Sequence, residues 1–136
     1  MQIKLCSESD VSRLAEMNKH LIEDEKSDNP MGIPELEERM NTFLSGDYDA
    51  YLFAENGKTI GYALVRRTSS PLYLRQFFID REYRRMHYGR EAFQELMKTL
   101  RTDTIDIDVL PWNEPGLAFW KSMGFTETCI SMRFHG

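Results

Sequence analysis

The sequence predicts a single α/β (α+β) domain over residues 1–136, with a mixed, mostly antiparallel central sheet and helices on both faces. Three observations predict this fold. Strand-like and helix-like segments follow one another in the order β-α-α-β-β-β-α-β-α-β. The pair Asn56-Gly57 between two apolar runs marks a tight hairpin. A strand–helix–strand unit follows, and this crossover predicts one parallel strand pair.

The first half of the chain predicts one strand, two helices and three further strands. Ile3 to Cys6 has the pattern of a short strand, and Ser9 or Asp10 is suited to cap the next helix. Apolar residues recur at helical spacing in two stretches, first Val11, Leu14, Met17, Leu21 and Ile22, then Leu36, Met40, Phe43 and Leu44. The hairpin and the run LYLRQFFID, residues 72–80, complete the antiparallel part.

The second half predicts the crossover and a terminal strand. A helix after Gly89 carries one apolar face, and the Asp/aliphatic alternation of Thr104–Leu110 predicts a strand parallel to Leu72–Ile79. Pro115 starts a short helix that ends at Gly124 and Phe125. We expect the strand Thr128–His135 to leave an edge that pairs with a second subunit, so we expect a homodimer.

The composition argues against several classes of protein. A formal net charge of −5 argues against a nucleic-acid partner, because binding along a phosphate backbone needs a basic face. No apolar run is long enough to cross a bilayer, and the N-terminal residues lack the apolar core of a signal peptide. We therefore expect a cytoplasmic protein with no membrane partner. Cys6 and Cys129 lack metal-ligand spacing, so we expect two reduced thiols and no metal.

The stretch REYRRMHYGREAF, residues 81–93, concentrates positive charge where a strand gives way to a helix. The free N–H groups and the dipole of a helix start favour an anion, and Arg84, Arg85 and Arg90 add full charges. A pyrophosphate would fit these donors. A solvated helix start explains the same arginines, so both interpretations stay open on these residues alone.

Two segments resemble the signatures of the GNAT superfamily, the acyl-CoA-dependent N-acetyltransferases. FFIDREYRRMHYGREAF is similar to motif A, in which Arg or Gln is followed by x-x-Gly-x-Gly/Ala after the fourth strand. VLPWNEPGLAFWKSMGF resembles the second signature, which begins at an Asn and ends in Gly-Phe. The predicted element order agrees. The resemblance therefore covers essentially the whole chain, and it implies a sheet in which two parallel strands splay apart.

The resemblance also implies acetyl-CoA as co-substrate and assigns its contacts. Arg84 matches the family's Arg or Gln, and the pantetheine arm lies in the gap between the splayed strands. Asn113 and Trp120 belong to the far side of that gap. The pyrophosphate is held by a loop that comprises Arg85, Met86, His87, Tyr88, Gly89 and Arg90, and the arm pairs with the backbone of Phe77, Phe78 and Ile79.

Two residues depart from the family pattern. His87 stands where the family usually has its first glycine, so its side chain hinders close approach of phosphate, donates to it, or is simply tolerated. Trp120 stands where many members have a tyrosine that protonates the departing thiolate. An indole is not a general acid at neutral pH, so the thiolate leaves with help from water or another tyrosine, or turnover is slow.

The implied reaction is direct attack of an amine on the acetyl thioester. A backbone N–H of Phe77 or Phe78 would stabilise the oxyanion, and Tyr73 matches the position of a glutamate base in some members. Tyr73 would act through a water; a core-edge role is the alternative. Strict alternation puts Tyr73, Arg75, Phe77 and Ile79 on one face of the strand and Leu74, Gln76 and Phe78 on the other. We expect Asp106 and Asp108 to face a helix or solvent, although one could approach the site.

The acceptor is expected over the loop between the first two helices. Four acids there favour a cationic acceptor, a small molecule or a protein amine, although a solvated helix end explains them too: Glu23, Asp24, Glu25 and Asp28. The expected function is therefore an N-acetyltransferase. The alternative is a non-catalytic acyl-CoA-binding regulatory module of the same fold, which His87, Trp120 and the lack of a carboxylate on the strand before Asp80 favour. A third possibility is an interaction protein with an empty site.

Overall fold

The structure is a computed structural model that describes residues 1–136. Five strands form one sheet in chain order: β1 (Gln2–Leu5), β2 (Tyr48–Glu55), β3 (Lys58–Arg66), β4 (Leu72–Ile79) and β5 (Ile105–Ile107). Neighbouring strands are antiparallel except for β4 and β5, which are parallel. The mixed, mostly antiparallel sheet with one parallel pair is therefore confirmed.

Four helices cover the two faces of the sheet, as predicted. They are α1 (Val11–Asp24), α2 (Ile33–Ser45), α3 (Tyr88–Leu100) and α4 (Glu114–Ser122). The first two pack with Tyr62, Leu64 and Phe78 in one core. The other two pack with Leu74 and Ile79 in the second core, on the opposite face. None of these helices has the length and hydropathy that spanning a membrane requires.

Local signals in the sequence placed two turns correctly. Asn56 and Gly57 join β2 to β3 with φ of 51° and 79°, the left-handed conformation that a two-residue hairpin loop needs. Gly124 ends α4 with φ of 102°. The N–H of Phe125 donates to the carbonyl of Trp120 at 3.0 Å, and the two rings pack 5.1 Å apart.

The end of the sheet differs from the prediction in two ways. The strand predicted over Thr104–Leu110 is only Ile105–Ile107, because β4 and β5 diverge beyond it. The predicted strand Thr128–His135 does not form, and residues 126–136 have no regular secondary structure. A strand needs a partner for its N–H and C=O groups, and no strand of this chain pairs with this tail.

A β-bulge in β4 changes which side chains share a face. Leu64 lies opposite Gln76 and Val65 lies opposite Leu74, so Arg75 is the extra residue. Arg75 and Gln76 therefore both point to the α1/α2 face, whereas Leu74 lies in the core under α3. The predicted faces are therefore wrong at two residues, because strict alternation allows no bulge. Arg75 does not share a face with Phe77 and Ile79, and Leu74 does not share a face with Gln76 and Phe78.

Candidate active site

A gap opens in the sheet where β4 and β5 stop pairing. Only Leu72–Leu74 pair with Ile105–Ile107, so residues 75–79 have no partner strand on the β5 side. The N–H of Asp80 donates to the carbonyl of Ile60 at 2.8 Å, so the main-chain N–H of Asp80 points toward β3. This contact sets which main-chain groups of the preceding residues point toward β3. Main-chain groups alternate along a strand, so those of Phe78 face β3 and those of Phe77 and Ile79 face the gap.

The loop before α3 presents a series of unpaired donors. The main-chain N–H groups from Arg85 to Arg90 have no hydrogen-bond partner in the protein. Arg85 and His87 both have left-handed backbone, with φ of 66° and 63°, and His87 is the residue before the first turn of α3. Consecutive free amides at the positive end of a helix dipole make an anion-binding site.

The three arginines of this loop have different contacts. Arg84 turns away from the free amides: its Nε donates to the carbonyl of Ile79 at 2.8 Å, and its guanidinium pairs with Asp24. A terminal nitrogen of Arg90 donates to the carbonyl of Ser122 at 3.3 Å, which ties α3 to α4. Arg85 is exposed and makes no ion pair or hydrogen bond, so it is the arginine free to meet an anion.

The wall of the gap on the α3/α4 side is built from aromatic rings. Trp120 lies 5.1 Å from the ring of Phe77 and 5.5 Å from that of Phe93. A Cβ on Gly89 would lie 3.1 Å from the ring of Phe119, so glycine allows α3 to approach α4 closely. The side-chain oxygen of Asn113 accepts the N–H of Gly116 at 3.2 Å and caps α4.

One acidic turn spans the gap on the opposite face. Asp24 at the end of α1 pairs with Arg81 and Arg84, which follow β4. The indole N–H of Trp112, which follows β5, donates to the main-chain carbonyl of Glu25 at 3.1 Å. The turn Asp24–Glu25 is therefore tied to both sides of the gap.

The four acids of the predicted acceptor loop are not equivalent. Asp24 is committed to the two arginines, and an oxygen of Glu23 lies 3.5 Å from Nδ1 of His20. Asp28 is exposed. Burial, and then the charge of Asp24, raises the pKa of the Glu25 carboxyl. Glu25 therefore binds a proton more readily than an ordinary glutamate does.

Residues 14–125 match the family described as the acetyltransferase (GNAT) family. The chain belongs to the GNAT acetyltransferase family. It is therefore an acetyltransferase with the fold that the two sequence signatures imply.

Individual relatives agree with this membership. The [ribosomal protein bS18]-alanine N-acetyltransferase of Escherichia coli (strain K12) is 26% identical over 100 residues, which cover 69% of this chain and 68% of the relative. The crystal structure of a possible acetyltransferase from Clostridium difficile 630 superposes with a TM-score of 0.80 at 16% identity, over 99% of this chain and 96% of the other. The structure of AAC(6')-Iy in complex with the bisubstrate analogue CoA-S-monomethyl-acetylneamine has a TM-score of 0.74 at 16% identity, over 99% of this chain and 97% of the other.

This GNAT acetyltransferase brings together polar side chains that the sequence did not connect. The hydroxyl of Tyr73 donates to Asp108 at 2.8 Å at the closed end of the gap. Burial, followed by this hydrogen bond, raises the pKa of Tyr73 to about 12, so the phenol is a donor at neutral pH. Because Ile105 and Ile107 face the α3 core, alternation in β5 could have placed Asp108 on the other face.

A second polar group lies deeper on the α1/α2 face. The hydroxyl of the fully buried Tyr62 donates to Gln76 at 2.8 Å, and Arg39 donates to Asn18 at 3.1 Å. No signal in the sequence indicates these contacts, since one joins two strands and the other joins two helices, over separations of 14 and 21 residues. No group of three or more His, Cys, Asp or Glu side chains comes together in a way that could hold a metal ion.

Proposed function

We propose that the protein transfers an acetyl group from acetyl-CoA to a primary amine of a small cationic molecule or of a protein, by direct attack of the amine. The observation that carries the proposal is the run of free amides from Arg85 to Arg90 beside a strand edge whose Phe77 N–H faces the open gap. Diphosphate and an extended amide-containing arm are the two features of coenzyme A that such a site fits.

The residues present fit coenzyme A in three places. The free loop amides and the exposed Arg85 would hold the pyrophosphate, and Arg84 keeps the loop against Asp24 and Ile79. The edge of β4 at Phe77 would pair with the pantetheine arm, against the aromatic wall that includes Trp120. When bound, acetyl-CoA would supply the activated thioester carbonyl.

The Phe77 N–H is the main-chain donor best directed to stabilise the developing oxyanion, because the groups of Phe78 face β3. Removing one oxyanion donor typically costs a few kcal/mol of transition-state stabilisation, about 2.7–4. Tyr73 is assigned to holding a water or the acceptor at the closed end of the gap, through its bond to Asp108.

The proton of the attacking amine needs a base. An alkylammonium has a pKa near 10.4, so forming the free amine at pH 7 costs about 4–5 kcal/mol. Glu25 is the carboxylate whose turn spans the gap and whose pKa is raised, first by burial. A raised pKa makes a carboxylate a stronger base, so we assign proton removal to Glu25.

Both the acidic turn and the relatives support the proposed class of acceptor. The E. coli relative is named for an alanine of a ribosomal protein, and AAC(6')-Iy is bound to an analogue that joins coenzyme A to acetylneamine. An ammonium group would be attracted to the acidic turn, where Glu25 and Asp28 are not engaged in ion pairs.

The proposal is tested by incubating the protein with acetyl-CoA and a panel of amines, peptides and small cationic molecules, with mass detection of the acetylated product. At least one amine should gain an acetyl group, and acetyl-CoA should release one equivalent of coenzyme A thiol for each acetyl group transferred. Binding of acetyl-CoA without turnover on any amine would instead support the regulatory module, and absence of binding would reject both.

We also infer that the chain forms a homodimer through its C-terminal tail. Ile130, Met132 and Phe134 are 82%, 92% and 90% exposed at alternate positions, the pattern of one apolar face of a strand. β5 is an edge strand with a free side, so the tail of one copy has an edge to pair with on the other.

A further inference from the structure

Two arginines on the α1/α2 face lie against one aromatic ring with no acidic partner. The guanidinium carbon of Arg75 is 4.9 Å from the ring centroid of Phe43, and that of Arg39 is 5.5 Å from the same centroid. Neither arginine takes part in any ion pair of the protein. Two positive charges around one ring repel each other, and an anion bound between them would offset that repulsion.

Arg39 has donor capacity that the protein leaves unused. One terminal nitrogen donates to Asn18 at 3.1 Å, whereas Nε is buried and has no partner. Burial, and then the charge of Arg75, lowers the pKa of the Arg39 guanidinium, and an anion would oppose both effects. Buried donors without acceptors are rare in folded proteins, so this one points to a bound group.

The arginine pair lies next to the gap. Arg75 is the bulged residue that directly follows Leu74, the last residue of β4 paired with β5. A terminal nitrogen of Arg75 is also 3.5 Å from the hydroxyl of Tyr48, which holds the side chain on this face. The pair is therefore beside the closed end of the gap, on the same face as the acidic turn.

Tyr62 connects the pair to the acidic turn. Its pKa is raised by burial and by the negative charge of Glu25, and is opposed by the positive charge of Arg39. The hydroxyl is therefore near enough to the Glu25 carboxylate and to the Arg39 guanidinium for both charges to affect it. An acceptor with its amine at Glu25 would reach Arg39 and Arg75 by extending along this face of the sheet.

We propose that Arg39 and Arg75 form a carboxylate-binding site for the acceptor, which is therefore an amine that carries an acidic group close to the amine. The inference rests on the proposed acetyl transfer, and it narrows the acceptor to an amine with a neighbouring carboxylate in place of a purely cationic molecule. Guanidinium groups bind carboxylates with paired, directional hydrogen bonds. A free amino acid and a peptide with an acidic side chain beside its N-terminus share this chemistry, whereas a polyamine would meet two positive charges.

The test compares acceptors that differ only in the anionic group. One pair is the C-terminally amidated peptides Ala-Glu and Ala-Gln, whose amines titrate alike. We expect kcat/KM to be at least tenfold higher for the acidic peptide. Arg75→Gln should reduce this ratio to about one, and Arg75→Lys should keep part of it. Arg101→Gln, which removes one positive charge at the exposed end of α3, should leave the ratio unchanged.

A second arm uses product binding and does not depend on turnover. Calorimetry in the presence of coenzyme A should show tighter binding of acetyl-Ala-Glu amide than of acetyl-Ala-Gln amide. A parallel comparison of N-acetylalanine with N-acetylalaninamide reports whether a free α-carboxylate serves equally well. Titration with acetyl-CoA confirms that each variant is folded.

The outcomes separate this inference from the proposed function. Turnover of neutral and acidic acceptors at equal kcat/KM would overturn the carboxylate site and leave acetyl transfer intact. Absence of turnover with every amine would defeat acetyl transfer, and the product-binding arm would then decide the carboxylate site alone. Equal binding of the acidic and neutral products in that arm would also overturn it.

Discussion

At the scale of single residues, His87 shows why the family pattern has a glycine at this point of the loop. Its φ of 63° lies in the left-handed region, which costs a non-glycine residue about 1–2 kcal/mol. The imidazole is exposed and makes no hydrogen bond. The sequence indicated the substitution, but the strained backbone became evident only in the structure.

We predict that His87→Gly stabilises the protein by about 1 kcal/mol and tightens coenzyme A binding severalfold, because it removes both strain and bulk beside the loop amides. Thermal unfolding and calorimetry measure the two effects. Arg101→Gly is the matched control, because Arg101 also has left-handed backbone, with φ of 54°, but lies at the far end of α3. This variant should be more stable than the wild type and should bind coenzyme A with unchanged affinity. Weaker coenzyme binding by His87→Gly would show that the imidazole contacts the phosphate.

Glu25 is the residue on which the base assignment depends. We predict that Glu25→Gln lowers kcat by about 100-fold or more, within the range of general-base effects. The base must be deprotonated, so activity should rise with pH through the Glu25 pKa, which lies above its ordinary value, and the variant should lose that rise. The exposed neighbour Glu23 supplies the control Glu23→Gln. A variant profile that keeps the same acidic limb would assign the base elsewhere.

At the scale of elements, the loop and helix α3 form one anion site in which charge can be tested apart from packing. Met86 is 58% exposed among the free amides, so Met86→Glu adds a negative charge without disturbing a core. We predict that it weakens coenzyme A binding at least tenfold with little change in thermal stability, whereas Met86→Gln keeps near-normal affinity. Equal affinities for the two variants would mean that the pyrophosphate lies away from this loop.

A substitution at Gly89 combines a charge effect on coenzyme A binding with a packing effect on the fold. Gly89→Glu should abolish coenzyme A binding, and it should also destabilise the fold because its Cβ would lie 3.1 Å from the ring of Phe119. Gly89→Ala carries the same Cβ without the charge, so its unfolding temperature relative to that of the wild type isolates the packing part. Retained coenzyme affinity in Gly89→Glu would contradict the assignment of the loop.

Turns and helix ends depend on residues that are close in the sequence, and these could be predicted. Features that depend on contacts between residues far apart in the sequence could not. The hairpin at Asn56-Gly57 and the end of α4 at Gly124 depend on neighbours a few residues away. The bulge at Arg75 depends on the register of β3 against β4. The pairing of Arg84 with Asp24 joins residues 60 positions apart, so the sequence alone left Arg84 among the phosphate ligands.

At the scale of the whole molecule, the C-terminal tail is the segment that the isolated chain leaves without a partner. We predict that replacing Ile130, Met132 and Phe134 together by serine converts a dimer into a monomer, because these side chains present the tail's apolar face. Sedimentation at micromolar concentration measures the mass. Alanine at the alternate positions Cys129, Ser131 and Arg133 should leave the dimer intact. A wild-type mass of one chain would defeat the proposal.

The turn at Asp24–Glu25 closes one side of the gap, while the free amides lie at the start of a helix on the opposite face of the sheet. Acetyl-CoA and the acceptor amine would therefore enter the gap from opposite faces of the sheet. Neither has to dissociate before the other binds. Steady-state catalysis should accordingly pass through a ternary complex, and double-reciprocal plots at several fixed acceptor concentrations should intersect instead of running parallel.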